Sequence, residues 1–81
     1  MRPVFVFIKC EMGSAYVVAN DIVDNIEETS ELYSVSGDYD LLVKFYVNDT
    51  MDIGRFVCDR VQTTPHITRT HTLLAFNAFT S

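Results

Sequence analysis

The sequence predicts an α+β domain of the ferredoxin-like type, with the element order βαββαβ and a four-stranded antiparallel sheet. Strand-like and helix-like apolar periodicities follow one another in that order along the chain. The two predicted central strands are apolar on both alternating sides, which is typical of strands in the middle of a sheet. The length of 81 residues is enough for one hydrophobic core, so residues 1–81 are predicted to form a single domain.

The first half of the chain predicts a strand, a helix and an edge strand. Residues 4–10 (VFVFIKC) are mostly β-branched and aromatic, which favours a central strand. Ser14 can cap a helix that ends at Thr29 and Ser30. Residues 31–36 alternate polar and apolar side chains, as an edge strand with one solvated face does. The apolar residues of the helix recur with a period of 3.6 and are Ala15, Val18, Ala19, Ile22 and Ile26.

The second half predicts a central strand, a helix and a long last strand. A Gly-Asp turn leads into residues 39–47 (YDLLVKFYV), which form an antiparallel hairpin with the edge strand. Residues 48–50 (NDT) supply a turn and a cap for an amphipathic helix over residues 51–62. Pro65 excludes its predecessor from the helical region and so ends that helix. Residues 67–79 then form the last strand.

The predicted topology places both helices on one face of the sheet and leaves the other face open. In each central strand, one set of alternating residues packs on the helices and the other set leaves large apolar side chains on open sheet. Exposed apolar patches of several hundred Å² are unusual on soluble monomers and mark interaction surfaces. We therefore expect a homodimer in which two sheets pack face to face.

The charge of the chain limits its partners. Six basic and eleven acidic residues give a net charge of −5, which disfavours direct binding to nucleic acid or to an anionic membrane. The apolar stretch before Lys9 is too short for a signal peptide or a membrane span. Cys10 and Cys58 each lie in an apolar segment, which favours reduced thiols and a cytoplasmic protein.

Known catalytic and metal-binding patterns are absent from the sequence. It has no Gly-X-Ser-X-Gly nucleophile motif, no calcium-loop spacing and no Gly-rich phosphate loop. Neither predicted helix contains a histidine that could ligate haem, so we expect no cofactor. A small barrel enzyme of the monooxygenase or isomerase type is the alternative, and it would need a polar cavity between sheet and helices. The possible zinc ligands lack the usual spacing, and they are Cys10, Cys58, His66 and His71.

One polar cluster remains as a candidate ligand site, and we expect no catalytic residues. A turn places two carboxylates and a phenol close together, and two threonines share one face of the last strand. Carboxylates can bind the ammonium of a small zwitterion, while hydroxyls and backbone N–H groups bind its carboxylate. The same residues are also common in structural turns and strands. The candidate residues are Gly37, Asp38, Tyr39, Asp40, Thr70 and Thr72.

The segments VSGDYDLLVKF at residues 35–45 and PHITRTHTLL at residues 65–74 resemble two signatures of the Lrp/AsnC effector domain. The resemblance implies a dimeric α/β barrel that assembles further into tetramers or octamers. It also implies that a small effector, commonly an amino acid, binds between neighbouring dimers around the Gly-X-Tyr-Asp turn. The family positions are matched by Gly37, Tyr39 and Asp40 in the turn and by Thr70 and Thr72 in the strand, while Asp38 fills the variable position.

Two differences from the family pattern bear on function. Pro65-His66-Ile67 stands where the family often has Pro-Gly-Val. Family regulators carry a helix-turn-helix domain, whereas this chain begins at the first strand, so it resembles a stand-alone effector module. We expect a non-enzymatic, amino-acid-binding module that oligomerises and can modulate a full-length relative through mixed oligomers. A scaffold without a ligand is the purely structural alternative.

Overall fold

The structure is a computed structural model that describes residues 1–77 and Phe79. Its strands form one antiparallel sheet in the order β2-β3-β1-β4, and the ferredoxin-like α+β prediction is confirmed. A π-helical segment, Val57–Val61, continues directly from the second helix. The elements are β1 (Arg2–Cys10), α1 (Ala15–Asn25), β2 (Thr29–Ser34), β3 (Leu41–Val47), α2 (Ile53–Phe56) and β4 (Ile67–Leu74).

The pairing of β1 with β3 forms the centre of the sheet. The register runs from Arg2 opposite Val47 to Ile8 opposite Leu41. On one face of this pair the side chains are buried against the helices, each stabilising the fold by about 1.5–3 kcal/mol when fully removed from water. These buried residues are Val4, Val6, Ile8, Cys10, Leu41, Val43, Phe45 and Val47.

The two helical elements cover that face. Val18 and Ile22 of α1 are fully buried, as their spacing predicts. Phe56 of α2 packs edge-on against Phe45, with ring centroids 5.2 Å apart. None of the helices in the described part of the chain is long and apolar enough to cross a membrane.

The helix starts differ from the predictions. Ser14 precedes α1, but its side chain makes no capping hydrogen bond. The cap of α2 is Asp52, whose carboxylate accepts from the Arg55 N–H at 3.2 Å, and not a residue of 48–50. Asn48 instead closes the preceding turn by accepting from the Thr50 N–H at 3.0 Å. The helix predicted over residues 51–62 therefore begins two residues later than expected, where the side-chain acceptor lies.

Two strands also differ in extent. β2 begins at Thr29 and not at residue 31, because a turn at residues 27 and 28, closed by the Thr29 N–H donating to the Ile26 carbonyl oxygen at 3.1 Å, leads directly into the strand. β4 ends at Leu74, before the predicted end at residue 79. Ala78, which the prediction included, lies outside the residues that the structure describes. Leu74 pairs with Val4, so the next residue would face Pro3, which has no backbone N–H to donate.

The loop before β4 has an unusual backbone conformation. His66 has a φ of 72°, in the left-handed region that non-glycine residues rarely adopt. Its carbonyl oxygen accepts from the Glu11 N–H at 2.8 Å, and its Nδ1 lies 2.9 Å from Glu11 Oε1. This loop and the end of β1 are therefore joined twice. The left-handed φ explains in physical terms why glycine suits this position.

We expect His66→Gly to be more stable than His66→Ala by about 1 kcal/mol, because alanine keeps the left-handed strain that glycine relieves. Both variants lose the imidazole contact to Glu11, so their difference isolates the backbone contribution. Urea unfolding followed by circular dichroism measures the free energy of unfolding of each. An alanine variant as stable as the glycine variant would contradict the left-handed conformation.

Candidate functional site

The turn between β2 and β3 holds four of the six candidate ligand residues. The Val35 N–H donates to the Asp40 carbonyl oxygen at 3.0 Å and closes this turn. Gly37 has a φ of 105°, a conformation that glycine adopts at little cost. A Cβ at Gly37 would meet no atom within 4 Å, so conformation and not crowding favours glycine here. Asp38 is exposed beside it.

Asp40 ends the pairing of β3 with β1. Its N–H donates to the Ile8 carbonyl oxygen at 2.9 Å, and its Oδ2 accepts from the Cys10 N–H at 2.8 Å. The Asp40 carboxylate thus takes the place of the backbone carbonyl oxygen that one more paired residue of β3 would have offered to the Cys10 N–H. Lys9 Nζ lies 4.0 Å from the same Oδ2, and the Asp40 side chain is 36% exposed. Asp40 therefore has a structural role and is still accessible to a ligand.

Tyr39 lies on the sheet face that points away from the helices. Its ring centroid is 5.6 Å from that of Phe7 and 6.4 Å from that of His71. The Arg69 guanidinium lies 5.2 Å from the Tyr39 ring centroid, within the range of a cation–π interaction. Tyr39 and Asp40 are adjacent in sequence but point to different surroundings.

Thr70 and Thr72 lie on the other side of the sheet. The strand register places them opposite Ile8 and Val6, whose side chains face the helices. Thr70 Oγ1 accepts from Gln62 Nε2 at 2.8 Å. Thr72 lines a groove of about 450 Å³ between β4 and α2, together with residues that include Cys58.

A separate cavity of about 300 Å³ lies at the end of β1 and includes Asp40. It shares no lining residue with the groove at Thr72, so Asp40 and Thr72 line different cavities of one protomer. Sequence reasoning missed the charged residues of this cavity, Lys9 and Glu11. Lys9 is the one charge in the apolar run 4–10, and that isolated charge was the available signal. The remaining lining residues are Cys10, Met12, Gly13 and Ala15.

The face away from the helices, which we term the open face, combines apolar and charged side chains. Lys44 Nζ lies 3.5 Å from Glu31 Oε2 and 4.8 Å from the Tyr46 ring centroid. The hydrogen bond from the Tyr33 hydroxyl lowers the pKa of the Glu31 carboxyl, and the same bond raises the pKa of Tyr33. These charges therefore have partners within the face. The strand registers define the open face as Phe5, Phe7, Lys9, Glu31, Tyr33, Leu42, Lys44, Tyr46, Arg69, His71 and Leu73.

The space between sheet and helices is filled with apolar side chains. Among the described residues, no polar or charged residue is buried. Burial raises the pKa of the Cys10 thiol, and the neighbouring Asp40 carboxylate raises it further, so the thiol is protonated at neutral pH and is a poor nucleophile. The enzyme alternative requires polar groups in this space, whereas the described residues buried there are all apolar.

The four residues considered as zinc ligands lie in different environments. Cys10 is buried and Cys58 is exposed. His66 is in the loop before β4, bound to Glu11, and His71 contacts Phe7 on the open face. In the described part of the chain, no three histidine, cysteine or acidic side chains come close enough together to hold a metal ion.

Comparison with known proteins gives a match of residues 3–81 to the model of the Lrp/AsnC ligand binding domain. Over 70 residues the chain is 33% identical to the HTH-type transcriptional regulator FL11 of Pyrococcus abyssi, covering 86% of this chain. The chain spans only 45% of that regulator's length.

Two solved structures illustrate the structural likeness. The crystal structure of TTHA0845 from Thermus thermophilus matches with a TM-score of 0.88 and 28% identity, over 100% of both chains. A feast or famine regulatory protein from M. tuberculosis, complexed with L-methionine, matches with a TM-score of 0.75 and 24% identity. That match covers 100% of this chain and 54% of the other.

We expect Asp40→Ala to lower the free energy of unfolding by about 1–3 kcal/mol, because the part-buried Cys10 N–H loses its acceptor. Asp40→Asn keeps an acceptor oxygen and should lose less. Asp38→Ala, at an exposed position of the same turn, is the matched control and should change stability by less than about 0.5 kcal/mol. Urea unfolding measures all three, and equal effects of the alanine substitutions at 38 and 40 would refute the strand-end role of Asp40.

Proposed function

The chain belongs to the Lrp/AsnC ligand-binding domain family, and from this we propose that it is a module that binds an amino acid and oligomerises. In this proposal it modulates transcription regulation without contacting DNA itself. Its relatives are transcription regulators, which favours regulation over catalysis. The net charge of −5 is unfavourable for contact with a phosphate backbone.

The geometry of the Gly-X-Tyr-Asp turn is the observation that carries the proposal. Asp40 Oδ2 is fixed by the Cys10 N–H, so the carboxylate has a defined position from which Oδ1 can accept a hydrogen bond from an ammonium group. The L-methionine complex of the mycobacterial relative supports an amino acid as the ligand class. We propose Gly37, Asp38, Tyr39, Asp40, Thr70 and Thr72 as the ligand region.

We further propose a homodimer that forms through the open face, and a higher assembly such as a tetramer or octamer. Phe5, Phe7 and Leu42 are only partly buried there, so pairing two sheets would remove more apolar surface from water. Because Glu31 and Lys44 form an ion pair within this face, neither of their charges is left unpaired when a second copy covers the face. Thr72 and Asp40 line different cavities of one protomer, and contact between neighbouring copies can bring such groups to one ligand.

Effector control in this proposal follows from linkage. An amino acid shifts the assembly only if it binds two assembly states with different affinity. In a mixed oligomer with a full-length, DNA-binding relative, that shift in assembly would change how the relative binds DNA. The two free cysteines agree with a reducing, cytoplasmic location.

Titration with each of the twenty amino acids should raise the melting temperature for at least one of them, because a ligand that binds only the native state stabilises it. A ligand at 100 times its Kd adds about 2.7 kcal/mol. Differential scanning fluorimetry measures the shift, and light scattering measures the mass at the same ligand concentrations. The absence of any thermal shift and any change in mass with all twenty would refute the effector proposal.

Leu42→Glu should convert the dimer to a monomer, because it places an unpaired charge at the centre of the open face of each copy. Val17→Glu, at a 52% exposed apolar position of α1, is the matched control and should remain dimeric. Light scattering at micromolar concentration measures the mass, and circular dichroism checks that both variants are folded. A monomeric wild-type protein, or a dimeric Leu42→Glu variant, would refute pairing through this face.

A further inference from the structure

We infer that the cavity at the end of β1 holds the amino acid by both of its charged ends, with Lys9 binding the α-carboxylate and Asp40 the α-ammonium. This inference rests on the proposed amino-acid function and assigns the carboxylate partner within it. The cavity measures about 300 Å³, at the lower end of the range for small-molecule sites, which is adequate for one amino acid.

Lys9 and Asp40 form an incomplete pair across this cavity. The distance of 4.0 Å from Lys9 Nζ to Asp40 Oδ2 exceeds that of a direct hydrogen bond, about 2.7–3.2 Å. Asp40 Oδ2 already accepts from the Cys10 N–H, and this bond keeps the carboxylate in place. The Lys9 side chain is 43% exposed and the Asp40 side chain 36%, so both can reach a ligand. A zwitterion offers each of them the opposite charge at hydrogen-bonding distance.

Glu11 gives the cavity a second carboxylate. His66 Nδ1 lies 2.9 Å from Glu11 Oε1, and the backbone bond between the same two residues fixes the loop there. Glu11 is therefore held at the cavity wall by a residue outside the cavity. Two carboxylates against one lysine make the cavity favourable for ligands with a neutral or basic side chain and unfavourable for acidic ones.

Met12 and Ala15 supply apolar surface next to these charges. Met12 is fully exposed, and a methionine side chain adapts readily to an apolar group. The ligand class that fits is a free α-amino acid with a neutral or basic side chain. An amino acid without a free α-carboxylate would lose the ion pair with Lys9.

The test compares L-methionine with L-methioninamide, whose α-carboxylate is replaced by a neutral amide. Isothermal titration calorimetry measures the Kd of each for the wild-type protein, for Lys9→Met and for Arg55→Met. If another amino acid gives a larger thermal shift, that amino acid and its α-amide are used instead. The variant Lys9→Met removes the charge but keeps an unbranched side chain. Arg55→Met is the matched control, because the Arg55 side chain is 78% exposed on α2 and lies outside both the open face and the cavity.

We expect Lys9→Met to weaken binding of the free amino acid by about ten- to hundred-fold, the effect of losing one hydrogen bond to a charged group. Binding of the amide should weaken by a smaller factor, since its neutral carbonyl oxygen can accept from Lys9 but offers no negative charge to it. Arg55→Met should leave both Kd values unchanged. Glu11→Gln should reduce the preference for L-methionine over L-glutamate, which tests the second carboxylate separately.

The outcomes separate this inference from the proposed function. If the wild-type protein binds the free amino acid and Lys9→Met binds it equally well, the assignment of Lys9 is wrong while the amino-acid function stands. The assignment is also wrong if Arg55→Met weakens binding as much as Lys9→Met does. If the wild-type protein binds none of the twenty amino acids, the proposed function and this inference both fail.

Discussion

The antiparallel pairing of β1 with β3 determines where every other element lies. Its register, with Val6 opposite Val43, aligns two rows of buried side chains on one face. The helices must cover that face, because these side chains are stable only out of water. β2 and β4 then add to the outer edges of the pair, and the alternation of the strands assigns the remaining side chains to the open face. The location of each cavity follows from this arrangement.

The same pairing connects stability to the proposed ligand site. The β1–β3 ladder ends where Asp40 turns away and its carboxylate takes over the last backbone N–H of β1, that of Cys10. A residue that terminates a sheet in this way has a fixed side-chain position before any ligand arrives. Preorganisation of this kind lowers the entropy cost of binding. A binding defect at Asp40 is therefore interpretable only alongside a stability measurement.

The sequence predicted the fold better than it predicted the site. Strand and helix order follow from local periodicity, and the family resemblance is confirmed by the match over residues 3–81. The end of β4 depends on Pro3, a residue more than seventy positions away, so no local pattern around residue 75 reveals it. The separation of Thr72 from Asp40 depends on the strand register, which places Thr72 opposite Val6 while Asp40 bonds to Cys10 at the end of β1, and the sequence left that register open. Lys9 stood out as a charge in an apolar strand, but only the folded chain shows that it lines a cavity with Asp40.

The double connection between His66 and Glu11 has a consequence for variation among related chains. A protein with glycine in place of His66 gains an unstrained loop but loses the imidazole that holds the Glu11 carboxylate. The side chain at position 11 would then sample several rotamers on the nanosecond timescale. One substitution at a position outside the cavity would therefore relieve backbone strain but leave the Glu11 side chain less ordered. Two relatives with identical cavity residues could in this way differ in how strongly they discriminate between ligands.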